Sequence, residues 1–331
     1  MIRLNRRQFV ESSAAAVVLG GAMGSLALPP SSRGEAPFMR RQAPGFHRSQ
    51  IGQFEIIALS DGFFELPSES IATNAPPEER KNYFETRFIP QDKFRLQATP
   101  LLINTGQKLV LVDAGVGPKA AWAPGAGRLA ESLSAAGIGP DAIDTVVITH
   151  AHSDHIGGLV DLATGAPRFP KAEVVLSDVE LDLWTASDAA NRLPEWAAQG
   201  LQNQQKTFHA LRDRLRTIKA GSDVMTGIQG LPTPGHTPGH LSLLIGSGNE
   251  QLLLTGDAIA SIHIAFERPA WQIKWDHDRE QGAQTRARLL DRVATDRVPV
   301  AGYHYPFPGV GHVVRDGSAY RWLPTDWSWS H

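Results

Sequence analysis

Apolar residues in this chain fall into short runs of two different periods, and the two kinds alternate. Residues 54–62, 100–104 and 109–113 are brief apolar stretches closed by turn formers, and each predicts a strand; Thr105-Gly106 between the last two predicts a hairpin. Residues 128–136 carry apolar side chains at helical spacing and stop at Gly137. The β-branched run 145–149 that follows suits a strand covered on both faces. A polar, tryptophan-bearing stretch from 178 to 216 predicts two helices. The second half resumes the rhythm with strands at 228–231, 241–245 and 252–255, a helix over 279–294 and a last buried strand at 298–301. Two successive β-then-α passages predict an α/β fold, with sheets packed between helix layers as one domain of two similar halves. No repeat of about 20 to 50 residues runs through the chain, which argues against solenoids and propellers.

Ahead of these elements, Arg3, Arg6 and Arg7 precede an uncharged, apolar-rich run over residues 12–28. Ser25-Leu26-Ala27 before Pro29-Pro30 has the small-x-small form of a signal-peptidase site. The form predicts a removable export signal over residues 1–27, and the run falls short of the roughly 20 residues of a spanning helix, so no stable membrane insertion is expected. Arg6-Arg7 followed by Phe9 resembles a twin-arginine signal, although Asn5 and Glu11 depart from that pattern. The resemblance implies a protein exported already folded, to the periplasm or beyond. Residues 28–45, rich in Pro, Ser, Gly and Arg, read as a flexible arm, which leaves 46–331 as a single domain.

Charge and composition narrow the chemistry. Thirty-two basic against 34 acidic residues give a formal charge of -2, which argues against electrostatic capture of nucleic acid or an anionic membrane and leaves a small-molecule substrate as the expected partner. Cysteine is absent, so thiolate nucleophiles, zinc fingers and iron-sulfur clusters are excluded. Any metal must be held by nitrogen and oxygen. The chain has 12 histidines to offer.

They concentrate in His150-Ala151-His152-Ser153-Asp154-His155, directly behind the 145–149 strand and ahead of Gly157-Gly158. In extended chain, side chains two apart share a side, so His150 and His152 can reach one metal. Asp154 and His155 stand where a helix would start and turn toward a second position. Further candidates lie at the ends of later strands: His236 between two Pro-Gly turns, Asp257 in Thr-Gly-Asp, and His304 in Gly-Tyr-His-Tyr. Asp113 ends its own strand and is expected to fix the tautomer of a ligating imidazole. His240 is expected to pack or cap, and no role as ligand is expected for it or for His47, His209, His263, His277 and His312.

These residues resemble the metallo-β-lactamase superfamily, whose His-x-His-x-Asp-His, later His, Asp and last His correspond here to His150, His152, Asp154, His155, His236, Asp257 and His304. Residues 54–62, 109–113, 306–312 and Tyr320-Arg321 further resemble the branch containing methyl parathion hydrolase and lactonase-like enzymes. The resemblance implies an αββα sandwich of two mixed sheets between helix layers. It implies two divalent ions, suited to zinc with iron, manganese or cobalt as alternatives. His150, His152 and His236 would hold one ion and Asp154, His155 and His304 the other, with Asp257 bridging. A hydroxide shared by the ions would attack a neutral, apolar ester, lactone or organophosphate triester, with Asp154 orienting the attacking oxygen. Enzymes of the branch are often homodimers, and they place aromatic pocket walls where Trp122 and Trp184 stand. Trp271 and Trp275 are left between a flap and an interface. The alternatives are a β-lactamase, a thioesterase, a mononuclear iron persulfide dioxygenase and a non-catalytic metal-binding protein.

Overall fold

Strand alternation sorts the apolar residues of the first half onto two faces of one sheet, and both faces are covered. The computed structural model describes Phe38, residues 42–43 and residues 45–328; the leader predicted over 1–27 and nearly all of the arm predicted over 28–45 lie outside the described residues. Strand β1 (Phe46–Ile51) pairs antiparallel with β2 (Phe54–Leu59), after which the chain leaves the sheet. β3 (Gly62–Pro67) forms a separate ribbon with β4 (Lys93–Ala98), with helix α1 (Pro77–Thr86) between them in sequence. β5 (Leu101–Asn104) and β6 (Leu109–Val112) return to the sheet, followed by α2 (Leu129–Ala135), β7 (Thr145–Val147), α3 (Ser153–Ile156) and the short pair β8 (Val160–Asp161) and β9 (Ala166–Pro167). After β10 (Glu173–Ser177) come four helices, α4 (Asp178–Thr185), α5 (Ala189–Arg192), α6 (Glu195–Ala198) and α7 (Leu201–Leu211), and then β11 (Leu215–Ile218). The sheet order is β1-β2-β5-β6-β7-β10-β11, antiparallel as far as β6 and parallel beyond it.

The second sheet runs in sequence order: β12 (Asp223–Met225), β13 (Ile228–Pro232), β14 (Leu241–Ser247), β15 (Glu250–Leu254), β16 (Val300–Ala301), β17 (Val310–Asp316) and β18 (Ala319–Pro324). Only β15–β16 is parallel, and the crossover between them carries α8 (Ile262–Glu267) and α9 (Arg279–Asp296).

Side-chain direction explains the layers. Ile56, Ile103, Val110 and Val147 point toward Leu241, Leu243, Leu252 and Leu254 of the second sheet. Ile57, Leu59, Leu102 and Leu111 point the other way, against Leu129 and Leu133 of α2 and Phe208 and Leu211 of α7. Leu253 and Val300 pack outward on Leu289, Leu290 and Val293 of α9. The result is the predicted αββα sandwich.

Three predicted elements differ from the structure. The strand expected over 54–62 stops at Leu59, because Asp61 is turned inward and Gly62 at φ +104° redirects the chain into the ribbon. Its Cβ, were there one, would lie 2.2 Å from the Gly125 carbonyl oxygen. The two helices expected over 178–216 are four, divided after Thr185, before Pro194 and at Gly200, and the stretch ends in strand β11. The strand expected to be last is followed by the β17–β18 hairpin, turned at Gly317-Ser318. Among the described residues no helix is long and apolar enough to cross a membrane.

Candidate metal centre

The parallel strands of the first sheet and the middle strands of the second end at one edge, and every predicted ligand is carried on the chain just beyond such an end. His150 and His152 lie in extended chain behind β7, with ring centroids 4.5 Å apart. His152 caps the short helix α3, which carries Asp154 and His155. His236 follows β13, Asp257 follows β15 and His304 follows β16. The structure brings all seven together in two groups: His150, His152 and His236, and Asp154, His155, Asp257 and His304.

Hydrogen bonds on the far side of each ring fix which nitrogen faces inward. His155 Nδ1 donates to Asp113 Oδ2 at 2.8 Å, His236 Nδ1 to Asp276 Oδ1 at 2.8 Å, and His304 Nδ1 to the Gln97 carbonyl at 2.6 Å. Thr149 Oγ1 gives its proton to Asp113, so the contact with His150 Nδ1 at 3.1 Å has the ring as donor. His152 is turned the other way round. Its Nδ1 faces His150 Nε2 at 3.0 Å and His236 Nε2 at 2.9 Å, while its Nε2 meets His277 Nε2 at 3.4 Å. Five imidazole lone pairs therefore converge, and a cation is what such a set is built to accept.

The carboxylates join the two groups. Asp257 Oδ2 lies 3.3 Å from His236 Nε2, 4.0 Å from His150 Nε2 and 3.0 Å from His304 Nε2, and Oδ1 lies 3.4 Å from His155 Nε2. Asp154 Oδ2 is 3.3 Å from His155 Nε2 and 3.4 Å from His304 Nε2. His155 Nε2 and Asp257 Oδ1 are buried with no hydrogen-bond partner among the described residues. Burial and neighbouring rings push His150 and His152 well below the usual histidine range. Burial also disfavours charge on His155, but Asp154, Asp257 and Asp113 outweigh it and hold that ring well above the usual range. The site thus binds protons where positive charge is wanted, and its nitrogen and oxygen donors fit divalent metal ions.

Supports around the ligands include residues the sequence reading left out. Glu180 is fully buried and accepts from the Ala151 amide, Trp184 Nε1 and Thr237 Oγ1 at 2.9, 2.8 and 2.6 Å, tying the two histidine loops to α4. Arg286, buried in α9, reaches Asp276 at 3.4 Å. An acid beside a histidine, Asp276-His277, was the available sign of this support. The Asp257 amide donates to His240 Nε2 at 3.0 Å, so the Nδ1 of that ring carries its proton toward Thr233 Oγ1 at 2.8 Å. His240 belongs to neither ligand group, and among the described residues neither do His47, His209, His263, His277 or His312. Asp61 accepts from the amides of Val116, Gly127 and Leu129 and so clamps both stems of the loop that carries Trp122.

A cavity of about 490 Å³ opens onto His152, Asp154, His236, Asp257 and His304. Trp122, half exposed, stands edge-on to Phe64 at 5.3 Å, and Phe64 stands edge-on to His304 at 5.6 Å. Across the cavity Trp196 lies 5.3 Å from His152 and 5.2 Å from Trp275. Trp184 touches the same cavity, although only 1% of it is exposed. Trp275 is thereby placed on the cavity, whereas Trp271 is core beside Tyr83.

Residues 94–321 match the family model described as metallo-beta-lactamase superfamily. Among solved structures, the chain is similar to the dizinc quorum-quenching lactonase AidC in complex with a product, with 28% identity and a TM-score of 0.80 over 86% of this chain and 98% of that one. It is equally similar to the hydrolase AbOPH of the β-lactamase superfamily, with 28% identity and a TM-score of 0.80 over 87% and 100% of the two chains. Metallo-beta-lactamase domain-containing protein 1 of Xenopus laevis is 29% identical over 225 residues, which is 67% of this chain and 76% of that protein.

Proposed function

Since the chain belongs to the metallo-β-lactamase superfamily and is a metal-dependent hydrolase, we propose that it is a dinuclear enzyme of the methyl parathion hydrolase and lactonase-like branch, acting on a neutral, apolar ester, lactone or organophosphate triester. The observation that carries the reading is the junction of the two ligand groups at one carboxylate, Asp257, on the floor of an aromatic-walled cavity. When bound, a pair of divalent ions supplies Lewis acidity toward the scissile group and brings the pKa of water near neutrality.

The protein's own contribution lies in placement. In this reading His150, His152 and His236 hold one ion, and Asp154, His155 and His304 hold the other. Asp257 presents one oxygen to both groups and so sets their separation. Asp154 has a side chain 14% exposed, against 6% for Asp257, and it orients the attacking water and receives its proton. Trp122, Phe64, Trp196 and Trp275 keep bulk water from the reacting centre and receive an apolar acyl, aryl or alkoxy group. The lactonase of like fold supports the lactone part of this range.

A hydrolysis panel of lactones, aryl esters, phosphotriesters and β-lactams tests the reading. Chelated protein is expected to be inactive on all of them, and zinc or cobalt to restore the first three. Activity indifferent to chelator, or activity kept when His150→Ala and Asp257→Ala are combined, overturns it.

A further inference from the structure

The cavity is lined largely by aromatic and aliphatic side chains, with Ser153, Gln199, Asn203, Gln204 and Ser261 as its uncharged polar members, and on Gln204 a polar atom is left without a partner. Gln204 is 3% exposed and lines the cavity beside Ser153 and Asp154. Its Nε2 donates to Ser153 Oγ at 3.1 Å. Its Oε1 has no hydrogen-bond partner among the described residues. Gly200 allows the side chain to fold back over the start of α7, since a Cβ there would lie 3.1 Å from Nε2 and 3.2 Å from Oε1. A buried amide oxygen without a donor is unfavourable, and it becomes favourable only when something entering the cavity supplies one.

The geometry points to Gln204 as a substrate-recognition residue whose Oε1 accepts a hydrogen bond from an N–H or O–H group on the substrate. The inference deepens the hydrolase reading and rests on it. Phosphotriesters and simple aryl esters carry no such donor. An acylamino- or hydroxy-substituted ester or lactone does, so the preferred substrates are donor-bearing carboxylic esters or lactones. Trp196, Ala197 and Ile273 line the same cavity, together with the polar side chains of Gln199, Asn203 and Ser261 and with Trp275, whose indole N–H also has no partner among the described residues.

A matched pair of probes isolates the effect. The phenyl esters of N-benzoylglycine and of 3-benzoylpropanoic acid differ only in N–H against CH₂, and each rate is taken relative to hydroxide hydrolysis of the same ester. Metal-loaded wild type is expected to favour the N–H ester in kcat/KM by on the order of tenfold. Gln204→Met is expected to abolish the preference, bringing the ratio of the two esters to near one. Gln204→Glu, which keeps an acceptor at the position, is expected to retain the preference. Calorimetric binding of the two free acids should show the same ratio in wild type and its loss in Gln204→Met. A ratio near one in wild type, or one that survives Gln204→Met, overturns the proposal. If neither ester is hydrolysed the hydrolase reading fails, and the calorimetric ratio still decides the role of Gln204.

Discussion

Each ligating ring is held by a partner on its far side, and the partners differ in strength. Asp276 is the most heavily supported of them: it takes the His236 Nδ1 proton and is itself met by the buried guanidinium of Arg286. Asp276→Asn keeps the shape and one acceptor oxygen but removes the charge that makes His236 a better donor to a cation. Affinity for the first ion is expected to fall by roughly 10- to 100-fold, read by titration against a competing chelator. The residues that the structure gathers into the two groups were legible in the sequence because His150 to His155 form a single short motif and the other three follow strand ends. Asp113 was legible for the same reason. Asp276 and Glu180 were not, since Asp276 meets His236 across 40 residues of chain and Glu180 meets the Ala151 amide across 29, and neither ends a recognisable strand.

At the level of elements, the loop that carries Trp122 depends on one carboxyl group. Burial raises the Asp61 pKa from 3.8 to about 6, against the opposing pull of the Val116, Leu129 and Gly127 amides. Between those two values the folded protein keeps a proton that the unfolded chain releases. The contribution of Asp61 to stability is therefore fully present below about pH 4 and is lost as pH rises through about 6, at up to about 1.4 kcal/mol per pH unit. The stability advantage of wild type over Asp61→Asn, measured by urea unfolding of the metal-free protein, is expected to shrink over that window and to level off above it. An advantage that grows with pH would mean that the three amides dominate over burial.

Elements with one dominant period were readable from the apolar pattern: 145–149 gave β7, and 279–294 gave most of α9. The ribbon of β3 and β4 was missed because its partners lie about thirty residues apart, with Gly62 paired to Ala98, and because it belongs to neither main sheet. The β17–β18 hairpin carried one signal, the Gly317-Ser318 turn formers behind Val313-Val314.

For the whole molecule, metal and fold are linked. The imidazoles and carboxylates of the two groups are gathered only in the folded chain, so metal binds the folded chain in preference to the unfolded one. At free metal about a thousandfold above its dissociation constant this linkage is worth about 4 kcal/mol. Chelation is thus expected to lower the melting temperature by on the order of 10 °C, and zinc to restore it, in a thermal melt read by fluorescence. The twin-arginine reading of the leader stands as a proposal of its own. Changing Arg6 and Arg7 to Lys is expected to leave the chain in the cytoplasm, which fractionation would show, and secretion unaffected by that change would discard it.

The division of ligands between the two sheets has a practical corollary. His150, His152, Asp154 and His155 come from one half of the chain and His236, Asp257 and His304 from the other, while Gln97 of the first half steadies His304 of the second. The centre is a seam, and a chain cut between Ile218 and Asp223 would leave an incomplete set of ligands on each fragment. Metal would then act as the rivet between separately made pieces, making this protein a natural starting point for a zinc-gated split enzyme.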